Sequence, residues 1–284
     1  MLTEEEKRLI LSRAYVPEHG IPLMTCLSGG EPFLLEDFFC CTGDDWIIVV
    51  GYPIQGNFRL QDLEDHLEKI IRRFQPAYLW LIAPEFPRSY AGSWREKEED
   101  SYYTLPLHSV RMKGDLRRQL GKAGEHLRIE ETRSMGNAHE VLSREFVQRA
   151  NPPGRIRELL FRAPALVKRC ENVIVLNAWS GQGELSAFYV VDFGPQRFSV
   201  YVIGCHSKRH YVAGASDLLF HEMVRISQSR NKEYIHLGLG VNEGIRRFKM
   251  KWGGRPTIPY RMCGLFFRQG FLSGLLAGMG FMKG

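Results

Sequence analysis

Apolar and polar positions change period along the chain, and the changes mark out its elements. Leu60, Leu63, Leu67, Ile70, Ile71 and Phe74 recur at helical spacing above a heavily charged opposite face, which predicts an amphipathic helix over 60–74. The continuous apolar runs 46–52 (WIIVVGY) and 77–83 (AYLWLIA) are short and rich in β-branched and aromatic residues, so they predict buried strands. Thr3 and Glu6 stand in a capping-box relation at the start of a helix over 3–14. Residues 88–100 are polar, charged and irregular and read as a loop, followed by a third strand over 102–107.

From Lys113 the pattern is denser. A basic helix over 114–127 leads into a strand over 128–132; helices over 139–149 and 156–170 are separated by Asn151-Pro152-Pro153-Gly154. Strands over 172–179, 185–193 and 198–205 follow, joined by turns that carry Gly181, Gly183, Gly194 and Pro195. A helix over 216–230, a strand over 234–239, a helix over 242–251 and a strand over 257–267 complete the order. The fold class is therefore mixed α/β, with mainly antiparallel sheets and flanking helices. At 284 residues the chain is comfortable for two domains, expected over 1–112 and 113–284.

Composition narrows the setting. With 44% hydrophobic and 25% charged residues a full core is available, and 38 Lys and Arg against 32 Asp and Glu give a net charge of +6. That mild excess suits a phosphate-bearing partner without making the concentrated stripe of a dedicated nucleic-acid binder. The six cysteines form no C-x-x-C pair and have apolar neighbours, which fits reduced thiols of a cytoplasmic protein and no metal site. No run reaches the roughly 18 apolar residues of a membrane span. The apolar tail 266–281 sets Gly270, Gly274 and Gly278 on one helical face and reads as a docking or interface segment, with a membrane-touching segment as the alternative.

The most informative stretch is 206–219, HSKRHYVAGASDLL. A strand ends, a basic turn follows, and very small residues open a helix whose first amides lack internal partners. Ala213, Gly214, Ala215 and Ser216 give an anion access to those amides, and Lys208, Arg209 and His210 supply charge or donors. An ordinary basic turn capped by Ser216 is the plainer alternative. The element order from 113 onward is that of one GNAT acyltransferase domain. In that fold the R/Q-x-x-G-x-G/A signature binds the pyrophosphate of coenzyme A; here His210, Ala213 and Ala215 take its key positions.

A second stretch, 237–254 (LGLGVNEGIRRFKMKWGG), sharpens the likeness. GASDLL, then LGLGVN, then GIRRFK-x-KWGG resembles the Fem-type aminoacyltransferases and the related domain of lysyl-phosphatidylglycerol synthases. The basic helix over 116–127 is similar to the one that opens their second domain. The resemblance implies tandem GNAT-like domains, the first degenerate, and an acyl donor that is aminoacyl-tRNA or acyl-CoA. It also implies that Lys249, matching the Phe-Lys pair with Phe248, steadies charge on the acyl carbonyl. Phe248 stands where GNAT acetyltransferases carry a tyrosine acid, which argues against plain acetyl-CoA chemistry. A solvated helix face, with Arg246, Arg247, Lys249 and Lys251 outward, is the plainer reading of these cations.

Amine attack on an acyl group also needs a base. His236, Glu243, Asp217 and Glu222 are candidates, and Asn242 either bonds the donor or caps its own helix. The expectation is an N-acyltransferase acting on an amine acceptor, with tRNA as a further partner. An acyl-CoA enzyme and a silent GNAT-fold binding module are its rivals.

Overall fold

The computed structural model describes residues 2–112 and 114–267. The tail glycines 270, 274 and 278 lie outside the described residues. Eight α-helices and eleven strands are found among those described: α1 Glu4–Arg13, α2 Ile21–Ser28, β1 Glu31–Leu35, β2 Phe38–Thr42, β3 Trp46–Val50, α3 Leu60–Phe74, β4 Tyr78–Ala83 and β5 Arg95–Pro106. They continue as α4 Gly114–His126, β6 Leu127–Thr132, α5 Asn137–Ala150, α6 Gly154–Arg169, β7 Val173–Ser180, β8 Leu185–Asp192, β9 Phe198–His206, α7 Ala215–Ser229, β10 Tyr234–Leu239, α8 Glu243–Lys251 and β11 Arg255–Phe266.

The eleven strands form one sheet in the order β1-β2-β3-β4-β11-β5-β10-β9-β8-β7-β6. All pairs are antiparallel except β3–β4 and β9–β10. Strand β11 therefore runs between β4 and β5, so residues on both sides of position 112 share the sheet. Helix α3 packs Leu63, Leu67 and Ile70 on β1–β4, and α1 buries Ile10 on the opposite face. In the other half α4 and α7 cover one face through Leu120, Leu219, Phe220 and Met223, while α2, α5 and α6 cover the other. The capping box at Thr3 forms: its side chain accepts the Glu6 amide at 3.1 Å and Glu6 accepts the Thr3 amide at 2.7 Å.

Two expectations change. Residues 95–100 are not a loop but the first half of β5, antiparallel to β11, with Glu96, Glu98 and Asp100 half-buried and Arg95, Lys97 and Glu99 exposed. Their charges hide a strand whose pairing is entirely long-range. Elements α2, β1 and β2, absent from the sequence reading, lie between α1 and β3. No helix among the described residues is long and apolar enough to cross a membrane.

Candidate active site

The site begins where two strands part. β9 and β10 pair in parallel from Phe198↔Tyr234 to Val200↔His236. Beyond that point β9 runs on to His206 paired with β8, and β10 runs on to Leu239 paired with β5. An extra residue, Val202, bulges from β9, since Val191 faces Tyr201 and Val190 faces Ile203. A cavity of about 480 Å³ fills the gap. Its far wall is the turn at Asn151, Pro152 and Pro153, where Asn151 ends α5 in the left-handed region and the prolines prevent the helix from continuing.

Helix α8 supplies the near wall. Asn242 caps it, its Oδ1 accepting the Ile245 amide at 3.0 Å, and it also lines the cavity. Phe248 lines it as well, edge-on to Phe220 with ring centres 5.6 Å apart. Of the four cations on this helix, Arg246, Arg247 and Lys251 are exposed, but Lys249 is only 5% exposed. Its Nζ reaches the Leu239 carbonyl and lies 5.4 Å from the Tyr103 ring centre. Burial pushes the Lys249 pKa down to about 7, against the attraction of Asp100, so the ammonium is readily given up.

The other expected base residues lie elsewhere. His236 is fully buried, edge-on to Tyr102 at 4.9 Å; burial and the Lys249 charge push its pKa down to about 3, so the ring is neutral. Glu243 points outward, paired with Arg247 at 2.9 Å. Asp217 accepts from Trp252 Nε1 at 2.9 Å and pairs with Lys251, and Glu222 pairs with Arg225.

The small-residue loop faces two ways. Arg209, His210 and Ala213 line a second, open groove with His126, Arg128 and Trp179, and His210 sits 3.5 Å from Glu184. Gly214, with φ +85°, is the N-cap of α7 in place of Ser216, because the helix already begins at the buried Ala215. Ser216 lines the first cavity, its carbonyl accepting the Tyr189 hydroxyl at 2.9 Å. The loop thus runs between the two depressions. Glu145 braces it from α5, accepting the Lys208 amide at 2.6 Å and the Ser207 hydroxyl at 3.0 Å.

Three residues absent from the sequence reading complete the site. Arg155 lines the cavity and is paired with Glu98 of β5. Asp100 accepts the Val241 amide at 2.8 Å, and Val241, also lining, is held at φ +56°. A β-branched residue in that region is a true outlier, of the kind that clusters at functional sites. None of these could be paired from chain spacing.

No family profile matches the chain, and no curated protein matches it in sequence. Solved structures do share its architecture. The C-terminal domain of a putative lysylphosphatidylglycerol synthetase from Agrobacterium fabrum matches with TM-score 0.61 and 15% identity, over 98% of this chain and 95% of that one. FemX matches with TM-score 0.58 and 9% identity, over 92% and 96%. A tandem GNAT protein from the clavulanic acid biosynthesis pathway matches with TM-score 0.52 and 11% identity, over 93% and 95%. The fold is GNAT-like, and this likeness of fold covers nearly the whole chain.

Proposed function

We propose that the protein is an N-acyltransferase that moves an acyl group from a phosphate-bearing donor, an acyl-CoA or an aminoacyl-tRNA, onto an amine. The observation that carries this is Lys249: a buried amine with its pKa near 7, at the wall of a cavity opened between two parting strands. In its neutral form Lys249 takes the proton that the attacking amine must lose as the C–N bond forms. The resulting ammonium then faces the oxyanion, and it returns the proton to the leaving thiolate or hydroxyl as the acyl–donor bond breaks.

Donor phosphates are assigned to the amides at the start of α7, with Arg209 and His210 at the groove side. Asn242, Phe248 and Ser216 hold the acyl end. The organisation proposed is tandem, with 1–112 shaping the cleft and 113–284 carrying the donor site. Asp100 and Glu98 from β5 support that site across the boundary, through Val241 and Arg155. The setting proposed is cytoplasmic.

The test is thermal shift of the purified chain against coenzyme A and acyl-CoAs. Ligand at a hundredfold excess over its dissociation constant adds roughly 2.7 kcal/mol of stability. A shift abolished by Gly214→Trp supports the donor site. The absence of any shift removes coenzyme A and leaves aminoacyl-tRNA to be tested by salt-dependent RNA binding.

A further inference from the structure

The cavity's charge pattern bears on the transferred group itself. Among the described residues no Asp or Glu lines it, and its Lys and Arg side chains are Arg155 and Lys249. Two carboxylates of β5 behind the lining are already engaged, Glu98 with Arg155 and Asp100 with the Val241 amide. Phenylalanine faces could receive an ammonium, but two of those in the lining already have a cation over them. Arg149 lies 5.7 Å from the Phe146 ring centre and Lys251 lies 5.5 Å from that of Phe248. Phe146, Ile156, Val202, Phe220 and Ile245 make the rest of the wall largely apolar.

We infer that this cavity takes an uncharged aliphatic acyl group longer than acetyl, presented as a thioester. The inference rests on the acyltransferase reading and names its donor's acyl class. A free α-amino group, or the ammonium of a lysyl group, would enter beside the Arg155 guanidinium, with Glu98 already paired to it and no carboxylate among the described lining residues, and would lose its hydration there. An acetyl group would leave most of about 480 Å³ without contacts, whereas each added methylene buries apolar surface against the Phe and Ile side chains.

The test uses N-acetylcysteamine thioesters, which carry the acyl group and no phosphate, so its outcome does not depend on the loop at 208–216. Acetyl, butyryl, hexanoyl and 6-aminohexanoyl thioesters are titrated calorimetrically into the full chain. Affinity is expected to rise ~fourfold per methylene from acetyl to hexanoyl. The 6-aminohexanoyl thioester is expected to bind at least about tenfold more weakly than hexanoyl. Ala150→Phe, at an exposed position on the cavity rim, should weaken hexanoyl more than acetyl, and Val202→Phe gives a second obstruction from the β9 side. Ile156→Glu supplies the missing carboxylate and should raise affinity for the aminohexanoyl thioester. Equal or tighter binding of the amino compound, no rise with chain length, or no binding at all overturns the inference. Failure of coenzyme A alone to bind would count against the phosphate loop and leave the chain-length trend intact.

Discussion

The carboxylate of Asp100 accepts the backbone N–H of Val241, 141 residues further along the chain, at 2.8 Å, and so fixes a β-branched residue at φ +56°. One hydrogen bond thereby ties β5 to the loop that sets α8 and its Lys249. A Cβ at Gly240 would come to 2.8 Å from both Asp100 Oδ1 and Arg246 Nε, so a larger residue there would push on the carboxylate that holds Val241.

Removing that bond should leave the strained loop without its support. Asp100→Ala is expected to lower unfolding free energy by about 1.5–3 kcal/mol, as it strands an amide that had a charged partner. Adding Val241→Gly to this background should restore about 1 kcal/mol, because glycine adopts the conformation without restraint. Urea unfolding of the single and double variants checks both numbers. If the double variant is no more stable than Asp100→Ala, Val241 is not strained.

Lys249 makes stability depend on pH in a defined window. Its pKa falls from the ordinary 10.5 to about 7 on folding, so the unfolded chain binds a proton between those values and the folded chain does not. Stability from this group is therefore greatest above pH 10, declines as pH falls towards 7, and is level below that. Lys249→Met should abolish that slope and raise stability at pH 7 by about 1–3 kcal/mol. Melting curves from pH 6 to 10 test the sign.

Activity should rise with pH as well, but around the folded-state pKa. With a weakly basic amine acceptor that is already neutral at pH 6, the rate should rise through about pH 7 as Lys249 loses its proton. Lys249→Met and Lys249→Arg should each lower kcat at least about 100-fold, the loss ascribed to a missing acid–base group. An active arginine variant would exclude the proton-transfer role, since guanidinium keeps its proton.

Glu243 offers a contrasting case. Its side chain is 62% exposed and faces Arg247, so Glu243→Gln should change stability by no more than about 0.5 kcal/mol and leave kcat unchanged. A large kcat loss would show that α8 presents a second group to the reaction.

Gly214 tests the packing under the loop. An added Cβ would lie 3.0 Å from the Ala123 Cβ, and φ +85° is strained for any other residue. Gly214→Ala should cost about 1–2 kcal/mol, read by urea unfolding, while Gly121→Ala, with open space around it, should not destabilise.

Elements that bury one face through local spacing were legible. Helix α3 and strand β10 span 60–74 and 234–239, as their patterns predict. The first half of β5 was not, because Arg95–Asp100 is charged at every position and becomes a strand only by pairing with β11. The site divides the same way. Lys249 could be singled out by its motif, but its burial follows from α8 packing against β5 and β10. Spacing also could not tell that Arg209 and Ser216, seven positions apart, open onto different depressions. Arg155 and Asp100 carry no local signal at all.

The position of β11 has a consequence for how the chain comes to be folded. During synthesis β4 emerges long before its neighbour: Arg261 reaches back to the Pro84 carbonyl, 177 residues earlier. Until residues 255–266 leave the ribosome, the backbone N–H and C=O groups of the buried strand Tyr78–Ala83 have no partner on that side. Such an edge pairs readily with foreign strands, and closure over so long a loop is slow. The nascent chain should therefore depend on shielding by a chaperone until β11 threads the seam between β4 and β5.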